Sequence, residues 1–462
     1  MNRIVIIGGG ISGLAAAHRV LELDPPAKVT LIEVSDRLGG TIQTEHRDGF
    51  LLERGPDSFI SEKPHALELA KRLGLESQLI QTNEEYRRSF IVRDGRLRAV
   101  PEGFQLMAPS RMWPFITSDI FSLAGKARMA ADLFLPRKST NGTTDESLAS
   151  FVRRRLGEEA LARMAQPMVG GIYTADPETL SLRATLPRFL DMEQKHRSLI
   201  LAMLRQGRSQ KTGTSGARYS LFLSFERGMQ VLVDAITQVT RINADLRVKT
   251  RAQRLTFDHE WRISTDKEEQ FKADAVCLAV PAYTAASLLS DTHPGLAEKL
   301  RAIRYASTAT INFAYKRAAI KHPLNGFGFV VPLIEKRSLI ACTFSSVKFS
   351  GRVPKDHVLL RAFAGGALQP EIFALDESEM ARRVEADLRE LLGISGDPLF
   401  VEVAKWERSM PQYEVGHLDR VNEIERLASE LPGLALAGNS YRGAGIPDCI
   451  RNGEAAAEYL MR

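Results

Sequence analysis

The first forty residues restrict the fold more than any other part of the chain. Arg3 to Ile7 is a short run rich in β-branched residues, and it ends at Gly8-Gly9-Gly10-Ile11-Ser12-Gly13. The Ala- and Leu-rich stretch Leu14 to Leu23 reads as a helix stopped by Asp24-Pro25-Pro26, and Val29 to Ile32 supplies a second strand ending at Glu33. Strand, glycine turn, helix and strand in this register predict a parallel βαβ unit with strands buried on both faces. Gly8 permits the tight turn, Gly10 lets backbone approach a pyrophosphate, and Gly13 lets helix and strand pack closely. The helix start offers unpaired N–H groups to phosphate, while Glu33 can accept from both hydroxyls of an adenosine ribose and disfavours a 2′-phosphate. A dinucleotide site is therefore expected at Gly8, Gly9, Gly10, Ile11, Ser12, Gly13, Glu33 and its neighbour Val34.

Bulk properties narrow the rest. At roughly 150 residues per domain, 462 residues allow about three units. Sixty-two basic against 56 acidic residues leave +6, too small an excess to indicate a nucleic-acid partner, though it favours anionic ones. Cys277, Cys342 and Cys449 have no C-x-x-C spacing and the nine histidines show no ligand spacing, so no disulfide framework or metal site is expected. The apolar start is too short for a signal peptide, and no run approaches the roughly 20 apolar residues of a spanning helix. A cytoplasmic protein is expected, and Leu106 to Ile116, with Trp113 and Arg111, leaves peripheral contact with the inner face of the cell membrane open beside channel-roof and core readings.

Asp36-Arg37-Leu38-Gly39-Gly40-Thr41 and then Glu53-Arg54-Gly55-Pro56-Asp57-Ser58 follow the βαβ unit. They resemble the segments that extend the dinucleotide motif in flavoprotein oxidases of the amine oxidase and phytoene desaturase superfamily. Further along, Arg88 to Val100 alternates into a hairpin, Pro101 to about Arg205 has helical periodicity, and residues 206–218 form a linker-like stretch. Strands are expected at Ala309–Tyr315, Phe327–Val331, Leu339–Phe344 and Val358–Phe363. Leu434 to Ala437, a glycine turn and an Ala-rich helix close the chain, so that a second helix start faces the flavin.

Gly170-Gly171-Ile172-Tyr173-Thr174-Ala175-Asp176-Pro177, Trp406 through Tyr413, and Gly443 to Ile450 complete a set that spans almost the whole chain. With them the sequence closely resembles the oxygen-dependent protoporphyrinogen and coproporphyrinogen oxidase family of heme biosynthesis. The resemblance implies an α/β plus α+β fold: a Rossmann-like FAD-binding domain assembled from discontinuous segments, a mixed-sheet substrate domain and a helical insertion domain. The expected division is 1–86, 219–300 and 406–462 for FAD, 87–101 and 301–405 for substrate, and 102–218 for the helical, membrane-facing part. FAD contacts carried over are Gly8 to Gly13, Glu33, Val34, Arg37, Gly39, Gly40, Thr41, Gly55, Pro56, Asp57, Ser58, Ala252, Trp406, Ala444, Gly445, Ile446 and Pro447. Arg87 or Arg88 (Ser89 stands at the nearest matching position), Thr174, Ala175, Phe327 and Phe329 are the substrate-side candidates, with Met410 and Tyr413 beside the flavin.

The implied reaction is a six-electron oxidation of protoporphyrinogen IX or coproporphyrinogen III by three hydride transfers to flavin N5, with O₂ reoxidising the flavin to give H₂O₂. The flavin does the chemistry, so no catalytic side chain is expected. Handover of product to the next heme-biosynthesis enzyme is a further implied contact. Amine oxidase and carotenoid desaturase are the competing enzyme classes, and a flavin-stabilised carrier is the non-catalytic alternative.

Overall fold

The run Arg3–Ile7 forms β1, buried along all but its first residue, in a computed structural model that describes residues 2–138, 145–209 and 222–462. β1 pairs in parallel with β2 (Lys28–Ile32) after the connecting helix α1 (Ile11–Leu23). β3 (Ala244–Arg247), β4 (Ala275–Leu278) and β5 (Leu434–Leu436) complete a parallel sheet of order β3-β2-β1-β4-β5. Ile4, Ile6, Val29 and Leu31 bury one face against α1 and the C-terminal helix α2 (Ile446–Leu460). Val5, Ile7, Val276 and Leu278 bury the other against residues 282–300. This two-sided burial is what produces the uninterrupted apolar strands. α2 lies so close to α1 that a Cβ on Gly453 would stand 2.1 Å from the Ser12 carbonyl oxygen. The sheet thus draws strands from the start, middle and end of the chain.

A second sheet has seven strands in the order Phe400–Pro411, Tyr305–Lys316, His357–Gly365, Ala341–Phe344, Gly328–Val330, Phe90–Arg93 and Arg96–Ala99. All its pairings are antiparallel except Gly328–Val330 with Phe90–Arg93. The expected hairpin turns at Asp94 and Gly95, both at positive φ. The edge strand Phe400–Pro411 was not among the expected strands. Its charged Glu402, Lys405, Glu407 and Arg408 mask the alternation, as charge on an exposed edge commonly does. The expected division at 405/406 falls inside this one strand.

Residues 112–138 and 145–209 are mainly helical, as the periodicity predicts, with their own core around Phe115, Phe151, Leu161 and Phe189. A buried ion cluster pins these helices. Arg155 Nε donates to Asp132 at 2.7 Å, Asp132 also accepts from Ser198 Oγ at 2.6 Å, and Arg154 bonds Glu193 at 2.6 Å. Of the expected linker 206–218, residues 206–209 end the helix Leu199–Ser209 and the remainder lies outside the described residues. No helix among the described residues is long and apolar enough to cross a membrane. Within Leu106–Ile116, Leu106, Met107 and Phe115 are buried, whereas Trp113 and Ile116 are exposed.

Candidate active site

The glycine turn after β1 opens into a cavity of about 560 Å³. Gly8 adopts φ +108°, and a Cβ there would lie 2.3 Å from the Ala279 carbonyl oxygen; one on Gly13 would lie 1.9 Å from that of Gly8. The first contact packs the turn against the end of β4 and the second packs α1 against the turn, each at a separation no larger residue allows. A Cβ on Gly10, by contrast, would meet nothing within 4 Å, and Gly10 lines the cavity. The start of α1 carries neither a capping side chain nor an acidic residue, so its first N–H groups remain available to an anion. Glu33, at the end of β2, lines the same space; its carboxylate accepts from the Gly9 N–H at 2.7 Å and the Ser35 N–H at 2.8 Å and keeps acceptor capacity for a ribose. Open space at Gly10, a free helix start and a fixed acid fit a pyrophosphate-bearing dinucleotide.

Val34, Gly39, Gly40, Thr41, Ile11, Ser12, Ala252 and Trp406 share this wall. Arg37 does not reach it. Its guanidinium folds back onto the carbonyls of Gly40 and Ile42 and onto Gln230, so it fixes the loop that carries Gly39 to Thr41. Gly55 is likewise a packing position, since a Cβ would lie 1.7 Å from the Thr41 carbonyl oxygen, and Pro56 follows half-buried in the same turn. That turn is tied to the seven-stranded sheet through the Arg54 carbonyl, which accepts from Trp406 Nε1 at 2.9 Å.

A second cavity, also about 560 Å³, begins where the first ends. Gly438, Asn439 and Cys449 line the first, and Gly443 to Asp448, including Ala444, Gly445, Ile446 and Pro447, line the second together with Ser58, Leu106, Tyr173, Met410 and Tyr413. Tyr413 holds this loop: its hydroxyl donates to the Asn439 carbonyl at 2.6 Å and accepts from the Gly443 N–H at 2.9 Å, while its ring stacks on His417 at 4.0 Å. The start of α2 differs from that of α1, because Asp448 occupies its first turn and pairs with Lys63 at 2.5 Å.

The third cavity, about 210 Å³, shares Ile172 and Phe222 with the second. Phe327 and Phe329 line it, as do Asp57, Ser89, Lys348 and Arg361. Lys348 Nζ bonds both Asp57 oxygens at 3.0 and 2.9 Å and Ser58 Oγ at 3.2 Å, and Arg361 donates to the Gly55 carbonyl. Burial alone would push Asp57 up, but the Lys348 and Arg361 charges outweigh it and hold its carboxyl well below the carboxylate range. Nearby Glu53 is pushed up to about 7 by burial, against the pull of the Met229 N–H and Thr44 hydroxyl that it accepts from.

Two pairs of expected substrate residues lie elsewhere. Arg87 pairs with Glu84 at 2.7 Å and, with exposed Arg88, faces a separate polar cleft that shares no wall residue with the three cavities. Arg87, Arg88 and Ser89 precede the strand Phe90–Arg93, and of the three it is Ser89 that lines the third cavity. Thr174 adopts the left-handed conformation at φ 50°. Ala175 is buried in the helical core, and the wall is built instead by Gly171, Ile172 and Tyr173. Lys348 and Arg361 were not anticipated, yet Arg361 interrupts the apolar run Val358 to Phe363, where a lone charge in a buried strand is itself a signal.

Known proteins place this architecture. Residues 11–461 match the family described as flavin containing amine oxidoreductase. The chain is 37% identical to the coproporphyrinogen III oxidase of Bacillus subtilis over 98% of its own length and 97% of that protein. It is 30% identical to the chloroplastic protoporphyrinogen oxidase of Nicotiana tabacum, covering 98% and 84%. A solved structure from an Exiguobacterium species, provisionally assigned as a protoporphyrinogen oxidase, superposes with a TM-score of 0.89 at 32% identity over 99% and 98% of the two chains. A putrescine oxidase at 16% identity and a TM-score of 0.70 shares the fold. Full-length matches of this kind, together with the dinucleotide cavity, show that the chain belongs to the flavin-containing amine oxidoreductase family and is a flavin-dependent oxidoreductase.

Proposed function

We propose that the chain is an FAD-dependent porphyrinogen oxidase of heme biosynthesis that converts coproporphyrinogen III to the porphyrin, with O₂ as final acceptor. The observation that carries this reading is the junction of two cavities at one loop. Residues 438–449 wall the nucleotide space on one side and an apolar space on the other. FAD, when bound, supplies a two-electron acceptor, so a six-electron oxidation takes three rounds. The protein's part is positioning. Gly8, Gly10 and the start of α1 hold the pyrophosphate, Glu33 the ribose, and the Thr41 and Gly55 turns the far end of the cofactor. Leu106, Ile172, Phe222 and Met410 offer an apolar wall that excludes water from the macrocycle. A porphyrinogen already tends to aromatise, so holding one meso carbon at the flavin is the main requirement, and no nucleophile–base pair is needed.

Coproporphyrinogen is favoured because the relatives bearing that name, from Bacillus subtilis and Propionibacterium freudenreichii, are 37% and 35% identical, against 30% for the tobacco protoporphyrinogen oxidase. The amine oxidases share fold alone at 16%. Exposed Trp113, Ile116, Leu123 and Phe134 give the helical region a face for peripheral membrane contact. The test is a side-by-side assay of the yellow holoenzyme in air on both porphyrinogens, followed by porphyrin fluorescence. A higher kcat/KM on coproporphyrinogen III is expected, and no porphyrin from either substrate would overturn the reading.

A further inference from the structure

The dinucleotide cavity has one wall that the glycine turn does not build. It comes from the edge strand Phe400–Pro411, whose pairing with Tyr305–Lys316 slips between Ala306 and Thr308, so that residues 407–409 bulge opposite Ser307. At the centre of the bulge Arg408 adopts φ 43°, in the left-handed region that L side chains avoid. Its N–H donates to Ser307 Oγ at 2.9 Å, Ser409 Oγ donates to the Trp406 carbonyl at 3.1 Å, and Asn439 Nδ2 donates to the Ser409 carbonyl at 3.2 Å. Three bonds thus hold a conformation that the Arg408 backbone resists. Bulges re-aim side chains, and strain of this kind persists where the surroundings enforce it.

The side chain so aimed stands on the cavity wall, its guanidinium 3.9 Å from the centroid of the Tyr283 ring. Tyr283 lines the same cavity, its hydroxyl reaches the Arg408 carbonyl at 3.5 Å, and Tyr305 braces its ring edge-on at 5.1 Å. Among the described residues the Arg408 guanidinium has no carboxylate partner. The other charges of this wall are placed differently. Lys405 Nζ donates to the Leu375 carbonyl at 2.8 Å, Glu33 accepts from backbone N–H groups, and Arg251 and Glu407 are exposed with no ring to hold them. The charge of FAD sits on its pyrophosphate, and the start of α1 answers it with only about half a positive charge. Fixing an arginine side chain ordinarily costs rotamer freedom, a cost that stacking on Tyr283 has already met.

We propose that Arg408, held over Tyr283 by the strained bulge, is a cofactor-retaining residue that pairs with the pyrophosphate of FAD. The assignment rests on the FAD reading and adds to the glycine turn a cation from the seven-stranded sheet.

The experiment measures FAD release after dilution of the holoenzyme, as the rise of flavin fluorescence, with circular dichroism on the same samples and chromatographic identification of the released flavin. Arg408→Gln should release FAD about tenfold faster and Tyr283→Leu about threefold faster. Arg408→Lys should fall between wild type and Arg408→Gln, because it keeps the charge and loses the planar stack. Raising the salt should speed release from wild type more than from Arg408→Gln. The decisive pair is Arg408→Ala and Arg408→Gly. Both should release FAD as fast as Arg408→Gln, yet the glycine variant should have the higher urea midpoint, because glycine accepts this φ without strain. A residue that serves only the fold would lose flavin and stability together, so release that tracks the urea midpoint across the set overturns the proposal. Wild-type release rates in Arg408→Gln and Arg408→Gly also overturn it and leave the FAD reading intact. A released flavin other than FAD overturns that reading and the proposal with it.

Discussion

Two buried ion clusters in this molecule are built from the same residue types for opposite ends. In the helical region Arg154, Arg155 and Lys138 face Asp132, Glu146 and Glu193, and every one of these carboxylates accepts from a cation. Beside the third cavity, Lys348, Arg352 and Arg361 face Asp57 and a half-protonated Glu53. The first cluster is closed and serves the fold. The second keeps an excess of cations over carboxylates, and Lys348, Arg361 and Asp57 of it lie on a cavity wall. A buried cluster whose charges cancel holds helices together; one whose charges do not cancel is waiting for a ligand, and only counting the partners distinguishes them.

The largest expected effect breaks the closed cluster. Asp132→Ala leaves Arg155 only the more distant Glu193 carboxylate at 3.6 Å and removes the acceptor of Ser198, so it should cost about 3 kcal/mol in urea unfolding. The same measurement on Ser89→Ala should show almost no loss, because that hydroxyl has no partner to lose.

The pH dependence of stability sharpens the contrast, because Glu53 and Glu193 are shifted in opposite directions. Glu53 has its folded pKa raised from 4.5 to about 7, so the folded state binds its proton more tightly than the unfolded chain. Its contribution is full below pH about 4.5 and is lost as pH rises to about 7, a swing on the order of 3 kcal/mol. Glu193 is the reverse: burial pushes it up, but Arg154 and the Lys138 N–H outweigh that and lower it, so its contribution is present above the ordinary carboxylate range and lost in acid. Glu53→Gln should therefore flatten the stability profile between pH 5 and 7, and Glu193→Gln should flatten it below that range. Urea midpoints across pH check both, and equal slopes in the two variants would contradict the assignment.

What could be read from the sequence follows the same division. The dinucleotide cavity is specified by a continuous stretch, Gly8 to Glu33, in which each residue's role depends on its near neighbours, and the structure places Gly8, Gly10, Ser12 and Glu33 on one wall. The loop Gly443 to Pro447 was legible for the same reason. The third cavity is not local. Ser89, Phe329, Lys348 and Arg361 come from separate stretches, and their convergence depends on the parallel pairing of Phe90 with Phe329 and the pairing of Asn312 with Arg361, which no periodicity reveals. Arg87 and Arg88 were attractive candidates because they are charged and adjacent. In the loop before the strand Phe90–Arg93 it is the uncharged Ser89 that lines the cavity instead.

The smallest expected effect concerns the tie between sheet and flavin turn. Trp406→Phe removes the Nε1 bond to the Arg54 carbonyl and trims a half-buried ring on the cavity wall, so it should cost about 1 kcal/mol and weaken flavin retention slightly, read by the unfolding midpoint and by flavin released on dilution. A change as large as that of Asp132→Ala would mean that the turn depends on this bond far more than its geometry implies.

The central claim is that electrons enter this flavoprotein from a porphyrinogen at the cavity beside residues 443–448. Anaerobic stopped-flow mixing of the holoenzyme with coproporphyrinogen III tests it most directly. The flavin absorbance should bleach as porphyrin fluorescence appears, return when air is admitted, and not change with simple amines. A flavin that stays oxidised with the porphyrinogen yet bleaches with an amine would contradict it.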